Sequence, residues 1–329
     1  MKTKILLLMI LLLLITGCTL RKQSEPTPPP QNGDRLPEPG LKTRETVFYL
    51  PDQDWRVLVP VRIHIPWEEG IARATVGYLT EGNLPAQAMD TGLIPLLPAG
   101  TEVLGLAIRD GLARIDLSSS FLDYNPEDER MVINGLVYTL TEFPTITDVE
   151  ILVEGEKAEF PGMTTTGVFG REFGVNLEVA EGLDDFSQTD RITLYFLLPA
   201  GENVFYVPVT RVIPEPEDRV FTVIEELLKG PAFSNILMTS LSAGVTLEST
   251  RVQGGKVTVH FSGDLTSGGG GQLAADRIRH QLALTLTEIT GITEVEVLVD
   301  GQQPTFPPGV QFPETFTRPK LWNLIDSTQ

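Results

Sequence analysis

Cysteine, histidine and basic residues are all scarce in this chain. Its 329 residues include one cysteine and three histidines, and neither an HExxH nor a GxSxG motif occurs. One cysteine forms no intramolecular disulfide and no multi-cysteine metal site, and zinc or triad chemistry needs clusters of its ligands or catalytic groups. Against 44 acidic residues stand only 25 Lys and Arg, for a formal charge of −19. Such a surface repels nucleic acid. The sequence therefore predicts no metal, no cofactor and no nucleic-acid partner.

A long hydrophobic run is also missing. Residues 5–15 form an unbroken apolar stretch that follows Lys2 and Lys4. The stretch is too short to span a bilayer and has the length of a signal-peptide core. Ile15-Thr16-Gly17-Cys18 then resembles a bacterial lipobox, in which Cys18 is lipidated and becomes the mature N-terminus. We expect a signal peptide over 1–17 and a lipid anchor on the outer face of the cytoplasmic membrane. The alternative is an ordinary secretory signal with an incidental cysteine.

Large apolar residues are rare over residues 18–45, which are rich in proline and polar residues. This composition predicts an extended, semi-rigid tether. At about 3 Å per residue it reaches up to roughly 80 Å from the membrane.

An internal repeat organises the rest of the chain. Residues 139–156 and 285–302 are identical at 11 of 18 positions. Shorter matches extend both ways at a nearly constant offset, so each copy has roughly 130 residues, the size of a single domain. We predict a first domain over 46–179, a linker over 180–191 and a second domain over 192–326.

Each copy predicts the order β-β-α-β-β-α-β. The central hairpins turn at Asp110-Gly111 and Gly254-Gly255, which are type I′ dipeptides. The following strand alternates apolar and polar residues in both copies, as a sheet with one buried face does. A right-handed crossover in the β-α-β end places the helices on one face of the sheet. The predicted fold class is α+β, with two tandem two-layer sandwiches whose helices cover one face of a mixed sheet.

The loops that lead into the second helix of each copy differ. In the first copy, residues 123–130 supply an N-cap at Asn125, then Pro126 and acidic residues. In the second, residues 267–271 are Ser267 and four glycines. Loops on a rigid scaffold carry function. The candidate partner-contact residues in these lead-in loops are Asp123, Asn125, Glu127, Ser267, Gly269 and Gly271.

Other features have a structural and a functional interpretation. We interpret His64, His260 and His280 as surface residues, and Asp116 as a solvated strand residue or one that holds the next loop, against a catalytic role. A scattered carboxylate pair stays open.

The glycines 268–271 fit a flexible connection better than an anion cradle, since no P-loop lysine follows. Trp67 and Trp322 fit core or cover positions better than sugar platforms.

Several motifs together resemble the GerM domain family. They are Val-Pro-Val in both copies, Leu-Leu-Lys-Gly-Pro at 227–231, Ala-Gly before each hairpin, and the repeated segment of 139–156. The first copy departs from the pattern with Glu-Gly-Asn at 81–83, and His260 replaces the family's strand aspartate. The resemblance covers nearly the whole mature chain. It implies a role in sporulation and germination, in a complex that joins mother cell and forespore, and a core like that of ring-building domains.

Three functions follow as hypotheses. The first is a non-catalytic module of an envelope protein complex, because no polar cluster is expected in both copies. The second is a lipoprotein that acts on or binds peptidoglycan, which a close carboxylate pair would favour. The third is a solute-binding lipoprotein of a transporter.

Overall fold

Two hairpins of long strands, one from each copy, contact each other. They belong to a computed structural model that describes residues 42–163, 167–266 and 270–325. By its contacts, the chain from Lys42 onward is one compact unit that contains both copies. The predicted boundaries between domains and linker stay a prediction.

The first copy is built from three helices and eight strands. They are β1 (Thr43–Pro51), β2 (Leu58–Pro66), α1 (Ile71–Tyr78), α2 (Ala86–Met89), β3 (Val103–Arg109), β4 (Leu112–Leu117), α3 (Glu129–Thr141), β5 (Asp148–Val153), β6 (Glu156–Lys157), β7 (Val168–Phe169) and β8 (Glu178–Val179). Short 3-10 turns occupy Ser119–Leu122, Pro126–Asp128 and Arg171–Phe173.

The second copy contains counterparts of the long strands and helices of the first copy. They are β9 (Thr189–Ala200), β10 (Asn203–Pro214), α4 (Arg219–Leu228), β11 (Thr246–Gln253), β12 (Lys256–Ser262), α5 (Gln272–Leu286), β13 (Glu294–Val299), β14 (Thr315–Thr317) and β15 (Leu324–Ile325). The mixed α+β class is as predicted. The seven-element order is not matched element for element, since α2 interrupts it and several short strands extend it.

The prediction of one mixed sheet per copy was wrong. The described residues form two sheets in each half. In the first half the strand orders are β1-β2-β15 and β3-β4-β5-β6, and β7 also pairs with β5. In the second half they are β8-β10-β9 and β11-β12-β13-β14. Antiparallel and parallel pairs mix in the larger sheets, because β3 and β4 are antiparallel while β4 and β5 are parallel. The hairpins β1-β2 and β9-β10 are therefore separate from the sheets that follow them.

A proline interrupts the outer edge of one strand in each hairpin. Pro60 lies inside β2, opposite Tyr49, and Pro208 lies inside β10, opposite Tyr195. Proline has no backbone N–H to continue a ladder on its outer side. Instead, the carbonyl oxygens of both prolines accept hydrogen bonds from asparagine side chains.

The C-terminal tail of each copy pairs with the hairpin of the other. Strand β8 of the first copy pairs in parallel with β10, and β15 of the second copy pairs in parallel with β2. This exchange ties the two copies together with backbone hydrogen bonds. The matches at Asn176 and Asn323 that extend the repeat lie in these tails.

The predicted hairpin turns are confirmed. Asp110 and Gly111 have φ angles of 50° and 86°, and Gly254 and Gly255 have 60° and 83°. Positive φ at both central residues is the signature of a type I′ turn.

The long helices carry the core. Helix α3 packs against β1 and β5, and α5 packs against β9 and β13. Leu140 and Leu286 occupy equivalent places in these helices and both are 0% exposed. The repeat, which aligns residue 140 with residue 286, therefore brings both leucines to the core.

Candidate functional site

A polar cluster surrounds the end of α3. The hydroxyl of Thr139 accepts a hydrogen bond from the backbone N–H of Tyr49 at 3.0 Å. Arg171, from the tail, forms a 2.6 Å ion pair with Glu142 and donates to the hydroxyl of Thr141 and a helix carbonyl. Cations at a helix C-terminus satisfy free carbonyls and complement the dipole. The cluster therefore fixes the tail on the helix end.

The second copy repeats this cluster. Thr285 accepts from the N–H of Tyr195 at 3.1 Å, and the hydroxyl of Tyr195 donates to Glu288 at 3.0 Å. Arg318 pairs with Glu288 at 2.8 Å and donates to the hydroxyl of Thr287. The expectation that no polar cluster occurs in both copies was therefore wrong. The sequence does contain a signal for these clusters, because both copies have the motif Thr-x-Thr-Glu together with a matching tyrosine and arginine. The tyrosine and the threonine that meet are 90 positions apart in the sequence, so the motif alone does not show their contact.

The tyrosine hydroxyls of both clusters have raised pKa values. Burial, and next the charge of Glu142, raises the pKa of the Tyr49 hydroxyl far above its usual range. Burial and Glu288 do the same to the pKa of Tyr195. Both phenols therefore stay protonated at physiological pH and act as donors. A tyrosine held in this way does not act as a base or nucleophile.

A buried ionic contact joins the tail of the first copy to the second copy. Arg211 of β10 pairs with Glu178 of β8 at 2.6 Å and with Glu226 at 3.1 Å. All three side chains are nearly inaccessible to solvent. The equivalent contact in the other half is apolar, with Ile63 opposite Ile325. A buried pair of this kind fixes geometry, since removal of one partner leaves an uncompensated charge.

The histidines do not come together. His64 and His260 are partly exposed on β2 and β12. His280 differs from the surface prediction, because it is half-buried and its Nδ1 lies 3.4 Å from the Tyr206 hydroxyl. Burial, and next the charge of Arg279, lowers the pKa of His280. Within the described parts of the chain, no group of three or more His, Cys, Asp or Glu residues is placed to hold a metal ion.

Asp116 holds the loop that follows β5. Its carboxylate accepts a hydrogen bond from the N–H of Gly155 at 2.8 Å. This is the loop-holding contact that the structural interpretation of Asp116 expects. The prediction for Trp67 was wrong, because α1 begins only at Ile71 and leaves Trp67 57% exposed. Trp322 is a cover residue as predicted, since its ring packs edge-on against Tyr195.

The lead-in loop of the first copy lies between two clefts. Asp123, Asn125 and Glu127 are all exposed along this loop. The first cleft has a volume of about 350 Å³ and is lined by Arg56, Leu58, Glu127, Arg130, Met131, Asn134, Met163, Phe173, Gly174, Asn176, Leu177 and Phe233. The second cleft has a volume of about 410 Å³, and Asp123, Tyr124 and Asn125 lie on its wall. Glu127 therefore lines the first cleft, while Asp123 and Asn125 line the second.

The lead-in loop of the second copy is described only in part. Ser267 and Gly269 lie outside the described residues. Gly271 is exposed and immediately precedes α5. The side chain of Gln272, the first residue of α5, accepts from the N–H of Gln311 at 2.8 Å and donates to its carbonyl at 3.0 Å. The partner-contact role of all three residues stays a prediction.

Cys18 also lies outside the described residues. Among the helices that the structure describes, none is both long enough and apolar enough to cross a membrane.

Known proteins that are similar to this chain share one description, sporulation and spore germination. The family model Germane, described as "Sporulation and spore germination", matches residues 46–159 and 193–305. The chain is 31% identical over 262 residues to the spore germination protein GerM of Bacillus subtilis (strain 168), and the match covers 78% of this chain and 71% of that protein. The solved structure of the tandem GerMN domains of the sporulation protein GerM from Bacillus subtilis matches with a TM-score of 0.73 at 28% identity. That match covers 87% of this chain and 100% of the solved chain.

Proposed function

Because this chain belongs to the Germane family of sporulation and spore-germination proteins, we propose that it is a non-catalytic interaction module of the sporulating cell envelope. It is held on the outer face of the cytoplasmic membrane by a lipid on Cys18. From there its two copies take part in a protein complex between mother cell and forespore. The same surface also contacts peptidoglycan.

One observation carries the non-catalytic part of the proposal. The polar residues that occur in both copies are used inside the molecule, where Arg171 and Arg318 each cap a helix and fix a tail. The lead-in loops, in contrast, differ in sequence between the copies. A duplicated enzyme keeps its catalytic group in at least one copy, whereas a binding surface needs only a rigid scaffold with variable loops.

The rigid scaffold itself supports an interaction role. Exchanged tails, the buried pair of Glu178 with Arg211 and the asparagine bonds hold both copies in one unit. Preorganised surfaces lose less entropy when they bind. A partner therefore meets both copies as a single surface.

Complementation of a spore-forming host that lacks its own copy of the gene tests this function. Asp123→Lys combined with Glu127→Lys changes the exposed lead-in loop without touching the core. We expect sporulation or germination to fall toward the level of the deletion strain, with the protein present in normal amount. The matched control is Glu202→Lys with Glu217→Lys, which makes the same charge change on exposed residues elsewhere and should complement fully.

An enzyme would lose function when a catalytic polar residue is replaced, whereas the non-catalytic proposal predicts no such loss. His64→Ala and His260→Ala should each complement as well as the unmodified protein. If either variant is folded, still bound to its envelope partners and yet inactive, the non-catalytic proposal is wrong.

A further inference from the structure

The first cleft is built by both copies. Met131 and Asn134 come from α3 and Phe173 from the tail of the first copy, while Phe233 comes from the second copy. Its volume of about 350 Å³ is within the range of ligand pockets. Phe233 of the second copy therefore completes a lining that the first copy mostly supplies.

The equivalent place in the second copy is filled. Asn176 bonds both backbone groups of Leu58, and Asn323 bonds those of Tyr206 in the same way, so Leu58 and Tyr206 are equivalent. The repeat likewise aligns Asn134 of α3 with His280 of α5. Tyr206 and His280 pack ring against ring at 5.7 Å. The smaller Leu58 and Asn134 leave the space open, so the fold does not require this cleft.

The walls of the cleft are adaptable and apolar. Met131, Met163, Phe173 and Phe233 line it, and all four are partly exposed. Methionine side chains are flexible and polarisable, and they recur on surfaces that bind apolar side chains of varied shape. These walls fit one large apolar side chain.

A cationic side chain that is free to pair with a ligand lies on the wall of the cleft. Two arginines and one glutamate line it, in a protein with a net charge of −19. Arg56 is neutralised by Asp52 and Asp54. Arg130 forms no ion pair within the part of the chain that the structure describes, and its guanidinium reaches only the carbonyl of Gly162 at 3.4 Å. Its charge is available to a carboxylate of a ligand.

We propose that the first cleft binds an extended peptide segment of a partner protein, which inserts one large apolar side chain and places a neighbouring carboxylate on Arg130. The proposal rests on the proposed function, and it names the chemistry of the partner. Apolar burial supplies the affinity, and the ion pair with Arg130 supplies the preference for an acidic neighbour.

The methionines provide the test. In the full-length protein, purified in detergent with ¹³C-methyl methionine, Met131 and Met163 report on the cleft, while Met89 and Met238 lie outside its lining. The probe is the peptide acetyl-Gly-Leu-Asp-Gly-amide. We expect it to shift the two cleft methyl signals with a Kd of about 1 mM, the affinity range of a single small anchor, and to leave the other two unchanged.

Two changes of probe separate the contributions. The peptide acetyl-Gly-Ser-Asp-Gly-amide lacks the apolar anchor and should not shift the cleft methyl signals. Arg130→Gln should leave the Kd of acetyl-Gly-Leu-Asn-Gly-amide unchanged. The same substitution should raise the Kd of the Asp peptide about three- to fivefold, because it removes an exposed ion pair.

The second copy supplies the blocking variant. Leu58→Tyr with Asn134→His places the residues of the filled site into the open one, and it should raise the Kd at least about tenfold by removing the space for the anchor. Unchanged signals of Met89 and Met238 report the fold, and Asn134→His alone serves if the double variant misfolds.

Absence of any shift of the Met131 and Met163 signals with the Leu-Asp probe overturns the proposal. So does equal binding to the filled variant. Neither outcome depends on sporulation. The peptide-binding proposal can therefore fail while the complementation result supports the proposed function, and the proposed function can fail while peptide binding is observed.

Discussion

Asn176 and Asn323 lie 147 positions apart in the sequence and make the same three hydrogen bonds. Each side-chain oxygen accepts from a strand N–H, of Leu58 at 2.7 Å or of Tyr206 at 2.8 Å. Each side-chain nitrogen donates to the carbonyl of that same strand residue and also to a proline carbonyl of the other copy. Both asparagines have positive φ, at 50° and 52°. The pair therefore relates the two copies by a local two-fold pattern.

The first prediction concerns these asparagines. Asn323→Ala removes three hydrogen bonds and leaves a buried N–H without an acceptor, and alanine is strained at positive φ. The free energy of unfolding should therefore fall by about 2–4 kcal/mol. Asn176→Ala should cost less, because Asn176 is more exposed. Chemical denaturation measures both. The exposed Asn203→Ala should stay within about 0.5 kcal/mol of the unmodified protein, and an equal effect of all three changes would contradict the prediction.

The second prediction concerns the equivalent leucines of the repeat. Leu140→Ala and Leu286→Ala should each lower the free energy of unfolding by about 2–5 kcal/mol, because each leaves a cavity in a close-packed core. Leu273→Ala is the matched control, since Leu273 is 63% exposed on α5. A small effect at either buried leucine, with the control equally affected, would refute the equivalence of the two cores.

The third prediction concerns pH. Hydrogen bonds from Arg114 and Lys157 lower the pKa of Glu150. In the second copy, hydrogen bonds from Thr258 and Lys256 lower the pKa of Glu296. A carboxyl whose pKa is lowered by folding stabilises the protein above its unfolded pKa of about 4.3, and this stabilisation is lost as pH falls through the folded pKa.

Denaturation from neutral to acidic pH checks this. Glu150→Gln should be less stable than the unmodified protein at pH 7, and the difference should shrink progressively below the unfolded pKa. Glu296→Gln should behave in the same way. The exposed Glu202→Gln is the control and should run parallel to the unmodified protein. A constant difference across the whole pH range would show that the ionisation of Glu150 does not contribute.

The fourth prediction concerns the anchor. Cys18→Ala should release the protein from the membrane fraction or block its processing, because the lipid is the proposed attachment. Fractionation of cells followed by immunoblotting measures this, and Thr19→Ala is the control that should remain anchored. A Cys18→Ala protein that is processed normally and stays in the membrane fraction would rule out the lipoprotein proposal.

Local chemistry let the sequence predict the elements and turns. Gly111 and Gly255 fix type I′ turns because few other residues accept positive φ, and the repeated segments 139–156 and 285–302 align Leu140 with Leu286. The repeat itself was visible because both copies conserve the same packing. These features depend on residues close together in the chain or on simple periodicity.

Only the tertiary structure decided where the tails go. Nothing near Asn176 or Asn323 in sequence indicates that each reaches the hairpin of the other copy, since that choice depends on which strand edge is left with unpaired carbonyls. The cleft was hidden for the same reason. It exists because Leu58 and Asn134 are together smaller than Tyr206 and His280, and because Phe233 arrives from the second copy. Such a difference in volume between distant residues becomes visible only when the chain has brought them into contact.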